Sequence, residues 1–130
     1  MSDLENARSI LQVAKRDLKN LKDMAENPGF MDDFAYGFFA QQAVEKASKA
    51  WLSLLGVDYP KTHKLDLLFR LIQKQNVNFP QAFLGFLYLT NFAVEFRYDS
   101  GTLLIEEINR AEVYHNVEAF LRHVESLMTG

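Results

Sequence analysis

Along most of the chain apolar side chains return every three or four residues, and no strand-length run alternates strictly between apolar and polar. The first stripe is Leu4, Ala7, Leu11, Ala14, Leu18, Leu21 and Ala25, with Arg8, Lys15, Arg16, Asp17, Lys19, Lys22 and Asp23 on the other face. It predicts a helix over about 3–25, opened by a Ser2/Glu5 capping box and stopped by Asn27-Pro28-Gly29. A second helix is expected from Asp32 or Asp33 to about Leu55, with Gly56 as its stop. Its core side carries Phe34, Phe38 or Phe39, Ala43, Ala47, Ala50, Trp51 and Leu54. A third, shorter helix is expected over about 62–75, with Leu65, Leu68, Leu71 and Ile72 inward. A fourth, over about 80–96, is apolar almost all round, and a fifth runs over about 103–127.

Long helices with short connections predict an all-α fold, an antiparallel four-helix up-and-down bundle with one additional short helix. At 130 residues the whole chain, 1–130, reads as a single domain. The 48% hydrophobic content supplies one core without metal or disulfides, and the absence of cysteine excludes a thiolate site and a cysteine nucleophile. The amino terminus lacks a basic start followed by an apolar run. The dense apolar stretch around Phe83 to Phe96 is broken by Asn91 and Glu95 and falls short of the ~20 residues a span needs. A cytoplasmic protein without membrane contact is therefore expected.

Fourteen Lys and Arg against seventeen Asp and Glu leave a formal charge of −3, so nucleic-acid contact would need a local basic patch. Three histidines, His63, His115 and His123, are scattered, and no spacing suggests a metal cage. No phosphate-cradling glycine loop or nucleophile elbow is present, and no cofactor is expected.

Three segments carry a resemblance. Phe38-Phe39-Ala40-Gln41-Gln42-Ala43-Val44-Glu45-Lys46-Ala47-Ser48-Lys49-Ala50 is similar to the signature helix of HEPN domains. Tyr59-Pro60-Lys61-Thr62-His63-Lys64-Leu65 resembles that family's loop ending in Thr-His-x-Leu, and Ala93-Val94-Glu95-Phe96-Arg97-Tyr98 its Arg-Tyr segment before a turn. The matches occur in the family's order. The resemblance, to the small stand-alone prokaryotic proteins in particular, implies a helical bundle, frequently a homodimer. It also implies either a nucleotide- or nucleic-acid-binding module, often the accessory partner of a minimal nucleotidyltransferase in a toxin–antitoxin-like pair, or a metal-independent ribonuclease toxin.

The residues themselves allow each reading. Gln42, Lys46 and Lys49 share one side of the second helix at spacings of four and three, with Gln41 and Glu45 on a neighbouring strip. Amides can read bases and lysines can pair with phosphate, although a solvated Gln-Glu-Lys ladder is the plain structural reading. Lys61 and His63 stand where a loop enters a helix, a place that favours anions, while Thr62 there could simply be a cap. Glu95, Arg97 and Tyr98 end the apolar fourth helix, as a binding cluster or as a structural ion pair. Arg110 and His115 satisfy a ribonuclease-type Arg-x4-His spacing, but inside one helix they would lie about 140° apart. The expectation is a non-catalytic binding module using Gln42, Lys46, Lys49, Lys61, His63, Glu95, Arg97 and Tyr98. The alternatives are a ribonuclease using Arg110 and His115, or Arg97 and His63, and a structural dimer without ligand. Ligand identity and biological process are not legible.

Overall fold

The computed structural model describes residues 3–27, 29, 32–90 and 108–129. These form α1 (Asp3–Glu26), α2 (Asp33–Leu54), α3 (Leu65–Gln73), a 3₁₀ helix (Gln81–Leu89) and α4 (Arg110–Ser126), with no strand among the described residues. The fold is all-helical, a packed bundle with one short helix added. No helix among the described residues is long and apolar enough to cross a membrane.

Residue pairings fix the helix directions. Asn6 Nδ2 near the start of α1 donates to Ser53 Oγ near the end of α2 at 2.7 Å, and Lys46 meets Asp17 midway, so the two run antiparallel. Lys15 of α1 pairs with Glu125 of α4, and Arg8 reaches the Met128 carbonyl, which makes α4 antiparallel to α1 as well. Arg110 lies beside Asp33 and Phe120 beside Trp51, so α4 runs parallel to α2.

α2 is central because small residues let its neighbours approach on several sides. Ala40, Ala43, Ala47 and Ala50 are fully buried, as are Tyr36, Val44 and Leu52. Its N-cap is Asp32, whose carboxylate accepts from the Ala35 amide at 2.8 Å. Its end is a Schellman turn: the Gly56 amide donates to the Ser53 carbonyl and the Val57 amide to the Leu52 carbonyl, with Gly56 at φ +73°. At the centre Trp51 stacks on Phe79 at 5.4 Å, and Phe120 meets Phe83 edge-on at 4.7 Å. Such aromatic pairs add about 0.5–1.5 kcal/mol each beyond the area they bury.

Three expectations are corrected. The described part of the fourth segment is a 3₁₀ helix, not an α-helix, and its residues 91–96 lie outside the described ones. The last helix begins at Arg110 within the described residues, because the Asn109 side chain accepts from the Glu112 amide at 3.0 Å and caps it there. α3 starts at Leu65, three residues later than expected. Thr62 does not cap it: its hydroxyl accepts from the Lys64 amide within the loop, and the Leu65 amide is satisfied by Thr90 Oγ1 at 3.1 Å. The expected Ser2 cap of α1 falls outside the described residues.

Candidate functional site

A dense polar cluster among the described residues is organised by a carboxylate in the middle of α2. Glu45 is only 4% exposed, and a charge so buried requires partners. Lys49, one turn on, donates to Glu45 Oε2 at 2.8 Å. His63 Nδ1 lies 3.0 Å from Glu45 Oε1, and Gln41 Nε2 donates to the same oxygen at 3.2 Å. Gln41 is fully buried; its Nε2 also donates to the His63 carbonyl at 2.8 Å, and its Oε1 accepts from Gln42 Nε2 at 2.9 Å. Glu45 and Gln41 together thus clamp His63 by ring and backbone. The clamp fixes the loop between α2 and α3 against the bundle.

The loop exposes charges of both signs, Asp58 as well as two lysines. Lys61 and Lys64 are exposed, and the His63 side chain is 43% exposed although its Nδ1 is anchored. Lys49 Nζ also sits 5.9 Å from the Tyr59 ring centroid, so that lysine bridges the buried carboxylate and an aromatic face of the loop. The arrangement places cationic groups and one anchored imidazole around a short backbone segment, a setting suited to holding an anion.

The residues expected to act together are therefore only partly assembled. Lys49, His63 and, through Gln41, Gln42 join one network, with Lys61 two residues from His63. Lys46, although on the same helix side, is drawn to Asp17 of α1 at 2.7 Å. Glu95, Arg97 and Tyr98 lie outside the described residues. Sequence reasoning left Gln41 and Glu45 out of the expected site residues. Their i, i+4 spacing, continued by Lys49, was the available signal, since it makes one ladder of the acceptor and both of its helix-borne donors.

Arg110 and His115 meet different partners among the described residues. Arg110 stands at the first position of α4 rather than inside a longer helix, and its side chain is 11% exposed. Its Nε donates to Asp33 Oδ1 at 3.0 Å and its Nη1 to the Met24 carbonyl at 3.2 Å, while the guanidinium lies 5.0 Å from the Tyr36 ring centroid. Tyr36 in turn donates its hydroxyl to the Arg110 carbonyl at 2.9 Å. This knot joins the end of α1 to the starts of α2 and α4. His115 is exposed, its ring edge-on to Tyr114. No cluster of three or more His, Asp or Glu suited to a metal ion exists among the described residues.

The family model of the HEPN domain covers residues 7–127 of the chain. No curated protein and no solved structure matches significantly.

Proposed function

The chain belongs to the HEPN domain family, and from that premise we propose that it is a non-catalytic module that binds a nucleotide or RNA through the edge built on Glu45. The observation that carries this reading is His63 tied at 3.0 Å to a buried carboxylate that also holds Lys49, on a loop that exposes Lys61. Phosphate would be met by Lys61, Lys49 and the His63 ring, with Gln42 flanking it on α2; Lys46 would join only on release from Asp17. Glu95, Arg97 and Tyr98 belong to the same proposal on sequence grounds. The module acts as a homodimer, and its protein partner is a minimal nucleotidyltransferase in a toxin–antitoxin-like pair, to be sought by co-purification. The engagement of Arg110 with Asp33, Met24 and Tyr36 speaks against its use with His115 as a ribonuclease pair.

Fluorescence anisotropy with a labelled single-stranded RNA, across a salt series, tests the proposal. Binding should weaken with salt, and Lys61→Ala should lower the slope of log K against log salt by about 0.7, the value of one phosphate contact on a single strand. His63→Ala should weaken binding several-fold. The RNA should stay intact without metal. No binding, or binding indifferent to both substitutions, would defeat the proposal. Cleavage lost in His115→Ala would establish the ribonuclease reading instead.

A further inference from the structure

On another part of the bundle, the 3₁₀ helix and α4 enclose an open groove of about 450 Å³, within the range of small-ligand sites. Its lining includes half-buried Phe83 and buried Phe86, whose rings pack on each other 6.2 Å apart and 29° from parallel. Gly85 forms part of its lining, and a Cβ added there meets nothing within 4 Å. Its polar groups are Tyr88, Glu112 and Asn116. Glu112 and Asn116 stand one turn apart on α4, and both are exposed. Neither side chain hydrogen-bonds or ion-pairs within the described residues.

The lining has one negative charge and, among the described residues, no Lys, Arg or His. The described lining, with aromatic rings beside a carboxylate and an amide, suits a flat molecule rich in hydrogen-bond donors. Aromatic side chains present faces or edges to a planar ring. A carboxylate accepts from an amino group, and an amide both accepts and donates, which matches the edge of an amine-bearing base. We infer that this groove binds an amine-bearing nucleobase of the adenine type, held by Glu112 and Asn116 against the accessible part of Phe83. The inference rests on the nucleotide-binding reading and concerns a site separate from the Lys61–His63 loop.

Nucleosides without phosphate separate the two sites. Adenosine titrated into the ¹⁵N-labelled full chain should shift the amide signals of Gly85, Glu112 and Asn116. Inosine, in which the amino group is replaced by a carbonyl, should bind at least about tenfold more weakly. Gly85→Leu should fill the groove and abolish the adenosine shifts while leaving RNA-backbone salt dependence in place. Glu112→Gln provides the second variant if that one fails to fold, and should weaken adenosine by about tenfold, as expected for a hydrogen bond to a charged group. No shifts at millimolar adenosine, equal binding of inosine, or binding unaffected by both variants overturns the inference. If RNA still binds through Lys61 in that event, the anion site stands and only the base groove falls. If adenosine shifts the groove but RNA does not respond to Lys61→Ala, the reverse holds.

Discussion

At the scale of single residues, the buried polar groups of this protein are placed by shared partners. Glu45 is tolerated at 4% exposure because Lys49, His63 and Gln41 all meet it; removing one partner of such a buried pair typically costs about 3–5 kcal/mol. Tyr36 shows the same logic with a neutral group. It is fully buried, its hydroxyl donates to the Arg110 carbonyl, and burial pushes its pKa up to about 12, with nearby Arg110 acting in the opposite sense. The folded chain therefore holds that proton more tightly than the unfolded chain, where tyrosine ionises near 10. The resulting stability is fully present below pH 10 and is lost as pH rises from about 10 to about 12. Urea denaturation over this range should show the fall. Tyr36→Phe should cost about 1 kcal/mol at neutral pH, the value of one hydrogen bond, and flatten the alkaline slope. An unchanged slope in the variant would assign the effect to other groups.

At the scale of elements, what was legible in the sequence followed from local chemistry. α1 and α2 came out within a residue or two of their observed ends, because Asn27-Pro28-Gly29, Asp32 and Gly56 act on their own neighbours. The start of α4 was also written locally, in Asn109 followed three residues later by Glu112, but the expected helix ran past it, back to about residue 103. The 3₁₀ winding of 81–89 had no such signal: a segment apolar all round reads the same in either helix, and tertiary packing decides. The candidate site divided in the same way. The Gln41–Glu45–Lys49 ladder is visible in spacing, whereas the capture of Lys46 by Asp17 and of Arg110 by Asp33 depends on elements that meet only in the fold.

At the scale of the whole molecule, the apolar surplus of the fourth segment bears on assembly. Within the described residues Phe86 and Leu89 are buried and Phe83 packs on Phe120, so part of the surplus is absorbed in the chain itself. Leu84 and Leu87 remain half-buried, and Phe92, Ala93, Val94 and Phe96 lie outside the described residues. The proposed homodimer gives the remainder a partner by the commonest symmetry. Analytical ultracentrifugation should report about twice 15.0 kDa at micromolar concentration; a monomer would leave the fourth segment to burial within one chain. The directions of the helices also bear on how the chain reaches this state. α1 and α2 can meet across the short connection between Glu26 and Asp33, whereas the hydrogen bonds that tie the C-terminal end of the chain, α4 included, to α1 and α2 span 74 to 120 residues. Closing the longer loops loses more chain entropy before any contact rewards it. The transition state for folding should therefore contain the α1–α2 hairpin, with α4 docking afterwards. In stopped-flow kinetics Leu21→Ala should slow folding, while Phe120→Leu should mainly speed unfolding. Equal slowing of folding by both would place α4 in the nucleus from the start.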